Sequence, residues 1–161
     1  MSPGRRRRRA QIAVAGGGRF EPTAARLARE VGREIAAAGA VLVCGGLGGV
    51  MAAAARGAAE AGGLVVGILP GYDATKGNRF LDVAVPTGLG HARNVLVAAA
   101  GDALIALPGE HGTLSEIALA GVLGRPVVVL GAWADVPGVR GARTPRDAVH
   151  RALRLARRRV R

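Results

Sequence analysis

Ile12-Ala13-Val14-Ala15-Gly16-Gly17-Gly18 is a short apolar run that stops in three glycines. It is too short for a buried helix and has no polar alternation, so it reads as a strand covered on both faces. A helical pattern follows over Thr23–Ala38. There Leu27, Val31 and Ile35 recur every four residues, while Arg26, Arg29, Glu30, Arg33 and Glu34 take the other face. Gly39 then stops the helix, and Val41–Cys44 opens a second apolar run that ends in Gly45-Gly46-Leu47-Gly48-Gly49.

The same alternation continues to the end of the chain. Val50–Ala61 reads as an Ala-rich helix, Leu64–Leu69 as a strand, and Tyr72–Arg79 as a polar loop. Leu81–Val85 is a strand, Ala92–Ala100 a helix, Ala103–Leu107 a strand and Thr113–Leu123 a helix. Pro126–Leu130 is the last strand, and Thr144–Arg159 a basic helix after a Pro/Gly loop. Non-alternating strands separated by helices imply a parallel sheet with helices on both faces. The expected fold is therefore α/β: a Rossmann-like, doubly wound parallel sheet in a single domain. Residues 1–9 read as an Arg-rich disordered tail, 10–143 as the nucleotide- and phosphate-binding body, and 144–161 as a basic C-terminal helix.

Composition narrows the function. Of 161 residues half are hydrophobic, but only Phe20, Tyr72, Phe80 and Trp133 are aromatic. The core must be built from Ala, Val, Leu and Ile, with 26 glycines permitting close backbone approach. So few π-faces argue against a protein that stacks single-stranded bases. The one cysteine, Cys44, rules out an internal disulfide and argues against a Cys-based zinc site. Cys44 reads as a small buried hydrophobe. No run approaches the length of a membrane-spanning helix. The net charge of +12 resides in the ends: residues 10–150 carry 12 basic side chains against 11 acidic ones. Arg5–Arg9 lead into too short an apolar run for an export signal, so a cytoplasmic location is expected. The Arg-rich ends read as solvated segments rather than as nucleic-acid or anionic-surface contacts.

In a sheet of this class, ligands bind beyond the carboxyl ends of the strands. Glycines gather there: Gly16–Gly18, then Gly45, Gly46, Gly48 and Gly49, with Thr87, Gly88 and Gly90, and finally Pro108, Gly109, Gly112 and Thr113. Helix N-termini after such turns offer free N–H groups to an anion, which points to phosphate. No Gly-Lys-Ser/Thr follows, and no Gly-x-Gly-x-x-Gly follows the first strand, so neither standard nucleotide fingerprint is present. Thr113-Leu114-Ser115-Glu116 also fits a capping box, leaving Glu116 two readings, structural and catalytic. Arg93 opens an otherwise apolar helix. A cation at a helix N-terminus needs an answering anion, so Arg93 is a site candidate. His91 and His111 lack metal-ligand spacing and read as loop or supporting residues, and no metal site is expected.

Pro108-Gly109-Glu110-His111-Gly112-Thr113-Leu114-Ser115-Glu116 resembles the Pro-Gly-Gly-x-Gly-Thr-x-x-Glu signature of Lonely Guy proteins. Those are phosphoribohydrolases that activate cytokinins and are often mislabelled as lysine decarboxylases. The likeness extends over about residues 11–131 and includes the Gly45–Met51 run. Gly67–Gly71, Asn78, Pro86-Thr87-Gly88 and Arg93-Asn94 resemble more closely the small bacterial branch related to the molybdenum cofactor carrier. The resemblance implies catalytic roles for Arg93 and Glu116. It implies ligand or phosphate contacts for Gly45, Gly46, Gly48, Gly49, Met51, Thr87, Gly88, Asn94, Pro108, Gly109, Gly112 and Thr113. It also implies a homodimer with sites near the interface. Two positions depart from the hydrolase pattern: Glu110 replaces the second motif glycine, and Asn94 stands where a Lys usually follows the Arg. Both changes weaken the hold on a monophosphate.

Two readings follow from the resemblance. One is N-glycosidic hydrolysis of a nucleoside 5′-monophosphate, with no required cofactor. The other is a non-catalytic carrier or sensor of a nucleotide or of molybdopterin. Lysine decarboxylation fits neither.

Overall fold

The computed structural model describes residues 8–159, with side chains through Arg158. Most of the Arg-rich segment 1–9, and the last two residues of the basic end, lie outside the described residues. Seven strands form one sheet: β1 (Gln11–Ala15), β2 (Val41–Cys44), β3 (Val65–Leu69), β4 (Val83–Pro86), β5 (Ala103–Ala106), β6 (Val127–Val129) and β7 (Arg140–Gly141). Five helices connect or cover them: α1 (Pro22–Ala37), α2 (Val50–Glu60), α3 (Asn94–Ala100), α4 (His111–Val122) and α5 (Pro145–Arg159). The strand order is β4-β3-β2-β1-β5-β6-β7, and every pairing is parallel. The winding reverses between β1 and β5, which makes their carboxyl ends the topological switch point.

Side-chain alternation divides the core into two layers. Ile12 and Val14 point to one face and pack against α1, α2 and α5 with Leu42, Ile105 and Val128. Ala13 and Ala15 point to the other and meet α3 and α4 with Val43, Leu104 and Val129. The buried hydrophobic residues are aliphatic apart from Cys44, as the composition required. Burial pushes the Cys44 thiol up to about 11, so it is a packing group at neutral pH. No described helix is long and apolar enough to cross a membrane. In α5 the small residues Ala148, Ala152 and Ala156 are buried at 4% exposure or less, which leaves the arginines on the outer face.

The structure corrects four local readings. The expected helix over 92–100 begins as a 3-10 turn, Gly90–Arg93, before α3. A second such turn, Ala74–Lys76, sits in the 72–79 loop, where the Asp73 side chain accepts the Thr75 N–H at 2.9 Å. β7 has two exposed residues, and a pair offers no periodicity to read. The capping box at Thr113 does not form. α4 starts two residues earlier, its N-cap is Glu110, and both Thr113 and Glu116 are buried inside the helix.

Helices α1 and α2 pack backbone to backbone. A Cβ on Gly57 would fall on the Arg29 carbonyl oxygen, and one on Gly32 would fall on the Ala54 carbonyl oxygen. Neither obstacle is a flexible side chain, so the helices themselves must separate. Gly57→Ala is expected to destabilise the fold by about 2 kcal/mol despite alanine's better helix propensity. That corresponds to a Tm roughly 4–8 °C lower by calorimetry. Gly121→Ala, where nothing lies within 4 Å, is expected to raise Tm instead.

Candidate functional site

Two turns meet at the switch point. After β1, the Gly17 N–H donates to the Pro108 carbonyl at 2.9 Å, and the Leu107 N–H donates to the Ala15 carbonyl at 2.8 Å. The Gly17 carbonyl in turn accepts the Val50 N–H, the first amide of α2, at 2.9 Å. Side chains would prevent these contacts: a Cβ on Gly109 would strike the Thr113 hydroxyl, and one on Gly49, at φ +61°, would strike the Gly17 carbonyl. The outcome is a cleft of about 500 Å³ above β1 and β5.

Of the helix N-termini that border this cleft, those of α1, α2 and α4 differ in how their amides are satisfied. At α1, Glu21 caps the helix, accepting the Thr23 N–H at 3.0 Å and the Ala24 N–H at 2.7 Å. Those amides hold the Glu21 carboxyl below its usual range. The cap of α2 is Gly49, which has no side chain to offer. At α4 the Glu110 side chain makes no capping bond, although its carbonyl accepts the Leu114 N–H at 3.1 Å. The amides of Gly112 and Thr113 have no partner among the described residues. The Thr113 hydroxyl is also buried without a hydrogen-bond partner. Unpaired donors at a helix N-terminus are the elements of an anion site.

Arg93 lies below these turns and is buried, at 7% exposure. Its Nε donates to the Ile68 carbonyl at 2.8 Å and its Nη2 to the Gly45 carbonyl at 3.2 Å, while Nη1 donates to Asn94 Oδ1. Asn94 Nδ2 donates to Ser115 Oγ at 3.0 Å, and Ser115 Oγ donates to the Gly112 carbonyl at 2.6 Å. This chain joins the arginine to the first turn of α4. Glu116 is the other buried charged group, at 7% exposure, and forms no ion pair among the described residues. Burial raises its carboxyl to about 7, and the nearby Arg93 charge only partly opposes that rise. Burial likewise lowers the Arg93 guanidinium from its ordinary value, against the pull of Glu116.

Of the residues expected at the site, Met51, Arg93, Asn94, Pro108, Gly109, Gly112, Thr113 and Glu116 line the cleft together. Gly45, Gly46, Gly48 and Gly49 lie behind the lining. Gly45 packs under the Arg93 guanidinium, Gly46 against Leu69, and Gly48 and Gly49 against the backbone of Gly17–Arg19. Thr87 and Gly88 belong to a neighbouring turn, where the Thr87 hydroxyl donates to the Leu69 carbonyl at 2.7 Å and Gly88 lies against the Tyr72 ring. The sequence reading missed Arg19, Glu21, Leu47 and Val50, all of which line the cleft, and gave His91, which also lines it, a loop or supporting role. Glu21 had a signal: an acid just before Pro22 is an N-cap followed by a proline at the first helical position. Among the described residues, no group of three or more His, Cys, Asp or Glu could hold a metal ion.

Known proteins share this fold. A protein of Archaeoglobus fulgidus is 46% identical over 140 residues, which is 87% of this chain and 92% of that one. The molybdenum cofactor binding protein of the phototrophic bacterium Rippkaea orientalis superposes with a TM-score of 0.87 at 35% identity, covering 92% of this chain and 98% of that one. The molybdenum cofactor carrier protein of Chlamydomonas reinhardtii superposes with a TM-score of 0.82 at 33% identity, over 92% and 98% of the two chains. These likenesses agree with the resemblance to the Lonely Guy and cofactor-carrier superfamily. Residues 9–155 match the SLOG cluster4 family, and the chain belongs to it.

Proposed function

We propose that the cleft binds a phosphorylated ligand of nucleotide or pterin type, with its phosphate at the amino end of α4. The observation that carries this reading is the state of that helix end. Its first amides and the Thr113 hydroxyl have no partner among the described residues, whereas the neighbouring α1 end is already filled by Glu21. Molybdopterin ends in a phosphate monoester, so the same donors suit it, and the two cofactor-binding neighbours support it as a carried ligand. Arg93 favours carriage. Its guanidinium is committed to two carbonyls and Asn94, so it supports the floor of the cleft instead of gripping phosphate with an open fork.

Glu116 supports a second reading, turnover of a nucleoside 5′-monophosphate. Water would add across the N-glycosidic bond, its oxygen to C1′ and a proton to the departing base, giving ribose 5-phosphate. The ionised Glu116 carboxylate would orient that water or stabilise the developing oxocarbenium charge. A carboxyl titrating at about 7 is suited to such work near neutral pH.

A homodimer is part of the same proposal. Leu96, Leu114, Val122 and Leu123, all on or just after the packed pair α3 and α4, are 38–83% exposed. Covering them would remove apolar surface from water. Light scattering is expected to give twice the chain mass, and Leu114→Glu with Val122→Glu to give the monomer mass; a monomeric wild type would refute the dimer.

Chromatography of the protein incubated with AMP, GMP, CMP and UMP separates carriage from turnover. Turnover predicts free base from the wild type and none from Glu116→Gln, which should still bind. Since the ionised form is the active one, kcat/KM should climb as pH rises through about 7 and level off above it. Saturable binding without base release assigns the cleft to carriage, and absence of binding refutes the phosphate site. Glu110 borders the cleft with an exposed carboxylate. Glu110→Gln should therefore tighten AMP binding about two- to fivefold in a calorimetric titration, and leave adenosine binding unchanged.

A further inference from the structure

Arg8, Arg9 and the basic end of helix α5 lie at the amino ends of the strands, opposite the cleft. Arg8 and Arg9 lie just before β1. Arg9 Nε donates to the Gly39 carbonyl at 2.9 Å, directly after the α1 C-terminus, and Arg8 pairs with Asp102 at 2.6 Å. Helix α5 packs along α1 and ends at the same place. There Ala38, His150, Leu153, Arg154, Arg157 and Arg158 line a groove of about 580 Å³. Arg154, Arg157 and Arg158 are exposed, and none forms an ion pair among the described residues. Their spacing of three and four residues puts them on one helix face. Asp102, the acid beside Arg8, accepts both Arg8 and the Gln11 N–H.

We propose that this surface binds double-helical nucleic acid through its phosphate backbone. Guanidinium groups suit phosphate, and a row of them unanswered by acid on one side of a nearly neutral body is an electrostatic footprint. Its lining residues include no Phe, Tyr or Trp, and His150 supplies the one ring, so the groove offers little on which to stack the bases of a single strand. A membrane surface fits less well. An interfacial helix must insert an apolar face, and in α5 that face, Ala148, Val149, Ala152 and Ala156, is buried in the body. Binding here is independent of the ligand cleft and without base readout.

The test is fluorescence anisotropy of a short labelled DNA duplex with the full chain, between about 50 and 200 mM salt. Binding should weaken steeply with salt. Arg154→Ala/Arg157→Ala/Arg158→Ala should weaken it at least about tenfold near 0.1 M salt and lower the log–log salt slope by about 2 to 3. A charge-matched control, Arg26→Ala/Arg79→Ala/Arg143→Ala, removes exposed arginines elsewhere and should have a much smaller effect. Equal losses in the two variants would mean that net charge, not this surface, is responsible, and would overturn the proposal. Absence of duplex binding by the wild type, or a slope shallower than about 2, would also overturn it. Tighter binding to phosphatidylserine vesicles than to the duplex, lost in the α5 variant, would reassign the surface to a membrane. Circular dichroism melting of each variant establishes folding; should the alanine variant unfold, the same comparison with Arg→Gln at the three positions decides.

Discussion

The contact between the turns after β1 and β5 is the constraint on which the rest depends. Gly17 donates to Pro108 and accepts from Val50, so one residue ties together three elements: the β5 turn, the β1 turn and the start of α2. The geometry leaves no room for side chains at Gly49 or Gly109. With the turns seamed backbone to backbone, the helices that follow them point their amino ends at one volume. The cleft lies above that seam, since the connections leaving the adjacent strands β1 and β5 wind to opposite faces of the sheet.

Within the cleft, charge is distributed by burial and by prior engagement. Arg93 is buried but satisfied, and its bonds to carbonyls of the β2 and β3 ends tie it to the sheet. Through Asn94 and Ser115 it also fixes the first turn of α4. Glu116 is buried and unsatisfied by hydrogen bonds, and low polarity outweighs the Arg93 charge in setting its proton affinity. The pair therefore sets a carboxyl that titrates at about 7 beside a committed cation, and the open donors are left to the backbone of α4.

The two ends of the sheet have opposite characters. The carboxyl end gathers glycine turns, unpaired amides and three carboxylates, Glu21, Glu110 and Glu116. The amino end gathers Arg8 and Arg9 with Arg154, Arg157 and Arg158, positions nearly the whole sequence apart. One feature of the topology explains this: β1 is central and begins near the N-terminus, while α5 returns across the same face to finish beside the α1 C-terminus.

The parallel α/β fold was legible in the sequence because period and punctuation are local properties. Apolar runs such as Val41–Cys44 end in glycines, and Leu27, Val31 and Ile35 mark the buried stripe of α1 without reference to any partner. The motif from Pro108 to Glu116 likewise carried its own likeness to a family. Other features required the tertiary structure. Thr113 and Glu116 satisfy the local pattern of a capping box, yet α4 begins at His111 and buries both, because the seam with Gly17 sets where the helix starts. Glu21 and Arg19 join the site only because α1 begins at the same rim as α4. Whether Arg93 is open to a ligand depends on carbonyls of Ile68 and Gly45, which are distant in sequence and brought near by strand order. A sequence lists donors and acceptors, but long-range packing determines which of them have already found each other.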